Sequence, residues 1–254
     1  MKIAICPDIH GRTFWKDVVG HTNEYDKIVF IGDYIDPYGQ EGITRNSTID
    51  NFKEIIDFRK ANNDKVILLM GNHDISYVNS MMPKSRYDYG NANEINKLFT
   101  NNRKLFNLAY EANIDGKRYI FSHSGIMMGW VEEFKEMYEW DKPDQNNVVD
   151  FINNNFQISE DYSASILYMV SRYRGGWDKY GSCVWGDFRE FVKYMDSKDT
   201  EKIENSYQIF GHTQLKEPIV TKEYACLDAR RIFILDDGVL KEMNGDIIPE
   251  KVLD

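Results

Sequence analysis

The chain has 254 residues, near the upper limit for one hydrophobic core, and 42% of them are hydrophobic. This composition excludes a disordered or fibrous protein and favours a single domain over residues 1–254 with a sizeable insertion. The formal net charge of −10 argues against a nucleic-acid polymer as partner, because a phosphate backbone is bound by a basic surface.

Cys6, Cys183 and Cys226 are widely separated and odd in number, so they are expected to be free thiols, with no disulfide framework and no CxxC zinc site. The N-terminal apolar stretch before Asp8 is too short for a signal peptide. No apolar run approaches the roughly 20 residues needed to span a bilayer. We therefore expect a cytoplasmic protein without a membrane partner.

Short apolar runs without polar alternation are typical of strands buried on both faces. In chain order, five such runs lie at 2–6, 27–31, 66–70, 119–121 and 207–210. Three more strands are predicted in the tail, at 225–227, 231–235 and 239–243, with an Asp237-Gly238 turn between the last two.

Helical patterns separate the strands. Ser47 begins a pattern that is similar to a capping box, followed by apolar residues at helical spacing, and Ile95 to Phe106 predicts a second helix. A longer helical segment is predicted over 128–173, interrupted at 143–160 by a loop rich in Asn and Asp, the best candidate for a mobile segment. Strands that alternate with helices predict an α/β fold with a central sheet.

A polar cluster follows each of the five main strands. In order, the clusters are D-I-H at 8–10, G-D-Y-I-D at 32–36, G-N-H-D at 71–74, S-H-S-G at 122–125 and G-H-T-Q at 211–214. Because ligands of open α/β sheets bind at the carboxyl ends of strands, these clusters should meet at one place. Of the five histidines, all but His21 lie in the clusters, which packing alone does not explain.

Carboxylates together with imidazoles favour Mn, Fe or Zn over Ca or a pure Mg site. The clusters offer more donors than one ion can use, and a bridging carboxylate would hold two divalent ions roughly 3.5–4 Å apart. The sequence therefore predicts a site for two divalent metal ions, whose identity it leaves open.

In order and approximate spacing, these motifs resemble those of the calcineurin-like metallophosphoesterase superfamily, across residues 8–213. The G-D-Y-I-D stretch is most similar to the phosphoprotein phosphatase (serine/threonine phosphatase-like) branch. The resemblance implies an α/β/β/α sandwich with mixed central sheets, metals at the carboxyl ends of the strands and a helical insertion at about 128–180.

The resemblance also implies roles for individual residues. The first metal would be bound by Asp8 and His10, both metals by Asp33, and the second metal by Asn72, His123 and His212. His73 would be the general acid that protonates the leaving group, with Asp36 orienting its imidazole.

Two positions depart from the family pattern. Gln214 stands where many members have a second histidine, and the phosphoprotein phosphatase branch also lacks that histidine. Pro37 stands where that branch usually carries the arginine that grips the substrate phosphate. Arg12, Arg172 and Arg174 are the candidates to replace it, because a bidentate guanidinium suits a phosphate group.

The leading hypothesis is a phosphatase that hydrolyses phosphate monoesters, on a phosphoprotein or a small phosphorylated molecule, with a metal-bridging hydroxide as nucleophile. A dinucleoside polyphosphate hydrolase is the alternative enzyme, since those hydrolases share the motifs. The acidic charge and Gln214 argue against a nuclease or a cyclic-nucleotide phosphodiesterase. The alternative of another class is a metal-free binding scaffold with the same fold. The oligomeric state is left open.

Overall fold

The computed structural model describes residues 1–138, 147–158 and 169–252. Its strands are β1 (Lys2–Cys6), β2 (Lys27–Phe30), β3 (Val66–Leu69), β4 (Phe106–Asn107), β5 (Ala109–Ile114), β6 (Lys117–Ser122), β7 (Ser206–Phe210), β8 (Ile219–Val220), β9 (Tyr224–Cys226), β10 (Phe233–Asp236) and β11 (Val239–Glu242). The longer helices are α1 (Arg45–Ala61), α2 (Asn72–Val78), α3 (Ala92–Asn101), α4 (Met128–Tyr138), α5 (Val148–Ile158) and α6 (Phe188–Asp196).

The strands form two mixed sheets, in the orders β11-β10-β1-β2-β3-β4 and β5-β6-β7-β9-β8. In the first sheet β1, β2 and β3 run parallel, with Ile3 opposite Lys27 and Ile28 opposite Val66. In the second sheet β6, β7 and β9 run parallel. The carboxyl ends of β1, β2 and β3 therefore lie along one edge, and those of β6 and β7 along one edge of the other sheet.

Alternate residues of the strands enter different hydrophobic layers. Ile3, Ile5 and Leu235 belong to the layer between the two sheets, together with Phe121 and Ile209 of the second sheet. The opposite face of the first sheet packs against α1 and α3, and the opposite face of the second sheet packs against α6. This is the predicted α/β/β/α sandwich.

The predicted strands are confirmed within one or two residues at each end, including the tail and its Asp237-Gly238 turn. Two details of the helix predictions are wrong. The cap of α1 is Thr44, whose Oγ1 accepts a hydrogen bond from Ser47 N at 3.1 Å, so the helix begins before Ser47. Phe106 is a residue of β4, where the β3 register with Leu68 draws it into the sheet.

Of the predicted helical insertion at about 128–180, residues 139–146 and 159–168 lie outside the described part, and the described residues are partly helical. α4 and α5 lie within it, and α5 replaces most of the loop predicted at 143–160; positions 143–146 and 159–160 lie outside the described residues. From residue 169 to residue 180 the chain is irregular apart from one short 3-10 turn at Arg172–Arg174. In the part of the chain that the structure describes, no helix has the length and apolar character needed to cross a membrane.

Candidate metal centre

The loops that follow the parallel strands are tied together by backbone hydrogen bonds. His10 N donates to Asp33 O at 2.6 Å, and Gly211 N donates to His123 O at 2.9 Å. His10, Asp33, Asp36 and His212 all adopt left-handed backbone conformations, with φ between 45° and 64°. Such conformations are uncommon for residues other than glycine and are typical of functional sites. The strand ends thus turn sharply and present their side chains at one place.

Asp33 is the carboxylate at the centre of this place, and two sets of donor atoms share it. One set consists of His10, Asp33 and His73, and the other of Asp33, His123 and His212; within each set the atoms lie within 4.8 Å of one another. Asp33 Oδ2 lies 3.3 Å from His10 Nε2 and 3.5 Å from His123 Nε2. A carboxylate shared in this way can bridge a pair of neighbouring cations.

Burial alone would raise the pKa of the Asp33 carboxyl, but His123, His73 and His10 act against it and hold that pKa well below its usual range. Asp33 is therefore ionised at neutral pH. Its other oxygen, Oδ1, accepts a hydrogen bond from His73 N at 3.0 Å, which fixes the orientation of the carboxylate.

Asp8 lies against the loop that carries His212. Both of its carboxylate oxygens accept a hydrogen bond from His212 N, at 2.9 and 3.1 Å. A Cβ atom on Gly211 would lie 2.0 Å from Asp8 Oδ2, so only glycine permits this approach. Burial raises the pKa of Asp8. The side chain lies close to the donor sets, although it belongs to neither of them.

The second donor set is fixed by contacts behind its rings. His123 Nδ1 donates to Ile31 O at 3.0 Å, which leaves its Nε2 with a free lone pair. That Nε2 lies 3.1 Å from Asn72 Oδ1 and 3.1 Å from His212 Nδ1. In the described part of the chain, His212 Nε2 is buried and has no hydrogen-bond partner. Burial, with smaller contributions from Arg174 and His123, lowers the pKa of His212 well below its usual value.

These residues fit a pair of divalent cations. Imidazole nitrogens and an ionised carboxylate converge, and His123 Nε2 lies against Asn72 Oδ1 and His212 Nδ1. A cation bound among these atoms would satisfy their lone pairs. His10 follows the usual pattern of a metal-binding histidine, since its Nδ1 donates to Ile35 O at 2.9 Å and its Nε2 points to the cluster.

His73 belongs to the first donor set and also has its own carboxylate partner. His73 Nδ1 donates to Asp36 Oδ2 at 2.8 Å, and Tyr77 Oη donates to Asp36 Oδ1 at 2.6 Å. Tyr77 Oη in turn accepts from Asp88 N at 2.6 Å. All four residues are buried, so the chain of hydrogen bonds fixes which nitrogen of His73 faces the cluster.

Asp74, the last residue of the G-N-H-D motif, holds two of the site loops together. Its Oδ2 accepts from Asp33 N and Gly71 N, both at 2.8 Å, and its Oδ1 accepts from Tyr34 N at 2.9 Å. The sequence identified Asp74 as part of a motif but gave it no role. It positions the backbone that carries Asp33.

The arginines predicted to bind phosphate are engaged elsewhere. Arg12 forms a bidentate pair with Glu41, at 2.8 and 2.9 Å. Arg172 is exposed and donates to Trp177 O. Arg174 pairs with Asp187 at 2.9 Å and also donates to Thr213 Oγ1 at 2.7 Å, so it lies near His212 while its charge is balanced.

Two further residues adjoin the cluster. Gln214, with its amide oxygen turned towards Arg230, accepts from Arg230 Nε at 3.0 Å and thus has an arginine partner. Arg86 places Nη2 3.2 Å from His73 Nε2 and 3.4 Å from His10 Nε2. Sequence reasoning missed Arg86 because it lies in no motif and 13 positions after His73.

The two-sheet sandwich brings carboxylate and imidazole donors from its strand ends to one place. The profile of the family described as "Calcineurin-like phosphoesterase" matches residues 1–216, and the chain belongs to that family. No curated protein matches the sequence.

Solved structures of a cold-active protein-tyrosine phosphatase show the same fold at low sequence identity. A cold-active protein-tyrosine phosphatase of a psychrophilic Shewanella species is similar with a TM-score of 0.57 and 16% identity, over 94% of this chain and 76% of that one. The phosphatase domain of the Legionella effector WipB has a TM-score of 0.49 and 14% identity, over 78% of each chain.

Proposed function

We propose that the chain is a phosphatase that depends on two divalent metal ions and hydrolyses phosphate monoesters. The observation that carries this proposal is the position of Asp33, which two sets of donors share, together with the pairing of His73 in the first set with Asp36. His10 and Asp33, with Asp8 alongside, would hold the first ion. Asp33, Asn72, His123 and His212 would hold the second.

When bound there, a metal pair activates a water molecule and neutralises charge on the phosphoryl oxygens. The chain itself supplies the proton for the leaving group. Asp36 accepts the Nδ1 hydrogen of His73 and fixes the ring, so that Nε2 can carry a proton to the leaving-group oxygen. Because Tyr77 donates to the other oxygen of Asp36, that carboxylate is oriented from both sides.

The substrate class is tested by comparing esters with Mn²⁺ present. The panel contains p-nitrophenyl phosphate, its bis ester, phosphotyrosine and phosphoserine peptides, and diadenosine tetraphosphate. We expect the monoesters to be hydrolysed fastest. A preference for diadenosine tetraphosphate would support the alternative, a dinucleoside polyphosphate hydrolase. The phosphotyrosine peptide is included because the Shewanella neighbour is a protein-tyrosine phosphatase.

Metal analysis separates an enzyme from a metal-free scaffold. The wild-type protein is expected to bind about two equivalents of Mn²⁺, and Asp33→Asn is expected to lower both metal content and activity. Asp50→Asn is the matched control, because Asp50 is an exposed residue of α1 whose charge contacts Lys53. A purified protein that takes up no Mn, Fe or Zn would refute the proposal.

A further inference from the structure

Arg86 is an arginine at the site that forms no ion pair with an acidic side chain of the described residues. Its Nε donates to Asp36 O at 3.1 Å, and its Nη2 lies within 3.2–3.5 Å of ring nitrogens of His73 and His10. None of these partners is a carboxylate, and the described contacts engage only Nε and Nη2. The Nη1 edge of a half-buried cation is thus free to bind an anion.

The other arginines near the site differ in this respect. Arg12 and Arg230 both contact Glu41, with N–O distances of 2.8 and 3.4 Å. Arg174 is paired with Asp187 at 2.9 Å. A guanidinium that is paired with a carboxylate must break this ion pair before it can bind a phosphate group. The exchange of one anion for another contributes little binding free energy. Arg86 has no such partner to give up.

The guanidinium of Arg86 also lies next to the segment that contains Pro37. The carbonyl that receives its Nε hydrogen is that of Asp36, the residue directly before Pro37. On the other side the ring of Tyr38 lies under the guanidinium, with Cζ 3.8 Å from the ring centroid. Stacking of this kind fixes the plane of the guanidinium without neutralising its charge. A guanidinium from a different loop therefore contacts both residues that flank Pro37.

The loop that carries Arg86 is held in place by the hydrogen bonds of its neighbours. Arg86 itself has a left-handed backbone, with φ of 53°. Tyr87 stacks on Tyr77 with ring centroids 4.1 Å apart, and Asp88 N donates to Tyr77 Oη. Because Tyr77 also binds Asp36, the arginine and the proposed proton donor are anchored to the same tyrosine. A preorganised cation loses less entropy when it binds a ligand.

We propose that Arg86 binds the non-reacting oxygens of the substrate's phosphoryl group, in place of the arginine that Pro37 excludes. This assignment rests on the proposed phosphatase function. Arg86 would act by charge-assisted hydrogen bonds from its guanidinium edge, next to His73 and the metal ligands. It would select for the dianionic phosphate of a monoester over a diester, which carries one negative charge less.

The test is the binding of inorganic phosphate to the Mn²⁺-loaded protein by calorimetry, for wild type, Arg86→Ala and Arg86→Lys. Removal of a hydrogen bond to a charged group corresponds to a loss of affinity of about 10- to 100-fold in Arg86→Ala. Arg86→Lys, which keeps the charge and loses the fork, should lie between the two. Arg118→Ala, in the β5–β6 hairpin where Arg118 pairs with Glu111, is the matched control and should bind phosphate as wild type does.

Manganese content and thermal unfolding are measured on the same samples. Unchanged metal content with weakened phosphate binding supports the assignment. Wild-type phosphate affinity in Arg86→Ala overturns it, and so does a parallel loss of manganese, which would mean that Arg86 supports the metal ligands. If Arg86→Ala does not fold, Arg86→Lys decides: equal affinity overturns the assignment and weaker affinity supports it.

Hydrolysis of p-nitrophenyl phosphate distinguishes this assignment from the proposed function. If the wild-type protein hydrolyses no ester but binds phosphate through Arg86, the proposed phosphatase function is refuted and the proposed role of Arg86 in anion binding is supported. An active wild type whose kcat/KM and phosphate affinity are both insensitive to Arg86→Ala would refute the arginine alone.

Discussion

Replacement of Asp74 by asparagine should destabilise the site loops even without metal. The carboxylate accepts three backbone N–H groups, two on Oδ2 and one on Oδ1. Asparagine has the same shape but only one oxygen, so its best orientation keeps the bonds from Asp33 N and Gly71 N and turns its NH₂ group against Tyr34 N–H. Each unsatisfied buried donor costs about 1–3 kcal/mol. With Tyr34 N–H and the new amide both unsatisfied, we expect a loss of about 2–6 kcal/mol.

Urea unfolding of chelator-treated protein, followed by tryptophan fluorescence, measures this loss without a contribution from bound metal. Asp50→Asn is the control, because it removes the same charge from an exposed position. Asp74→Asn should also weaken Mn²⁺ uptake, since the backbone of Asp33 loses its support. A free energy of unfolding within about 0.5 kcal/mol of wild type, the range of ordinary surface substitutions, would show that Asp74 does not hold the loops.

Three further outcomes are expected. Tyr77→Phe removes a donor to Asp36 and the acceptor of Asp88 N, so it should cost about 1–3 kcal/mol and change the pH profile of kcat; an unaltered profile would contradict the positioning role. Burial lowers the pKa of His212, so the unfolded chain binds a proton near pH 6.5 that the folded chain does not. Stability of the chelator-treated protein should therefore fall below about pH 6.5, and less steeply in His212→Gln; equal slopes would refute this. Burial raises the pKa values of Cys6 and Cys183, so iodoacetamide at pH 8 should modify them only in urea.

The sequence predicted the strands and the order of the polar clusters because both are local patterns. A buried parallel strand is a short apolar run, and a turn that leaves it must expose polar residues at its carboxyl end. His10, Asp33, His123 and His212 were all found in this way, and the structure brings them together. The resemblance to a known family added the order of motifs that no single cluster could supply.

The residues that escaped prediction depend on contacts distant in sequence. Phe106 lies next to a helix and its apolar character suits either state, so the pairing of β4 with β3 decided it. Arg86 was missed because its position at the site depends on the carbonyl of Asp36, 50 positions away, and on the ring of Tyr38. Arg12 was named as a candidate because it is next to a ligand cluster in sequence, but it pairs with Glu41, and Arg174 pairs with Asp187. Neighbouring residues in the sequence do not show which distant acidic side chain will pair with an arginine.

The donors of the second set come from both sheets: Asp33 and Asn72 follow strands of the first, and His123 and His212 follow strands of the second. In the proposed dinuclear enzyme, ion affinity and the alignment of the two sheets are thus thermodynamically linked, and each must respond to the other to the same extent. A residue such as Leu235, which packs between the sheets and carries no ligand, would then influence how tightly the ions are held. The supply of metal in the cell would in turn set how much variation the inter-sheet core can tolerate.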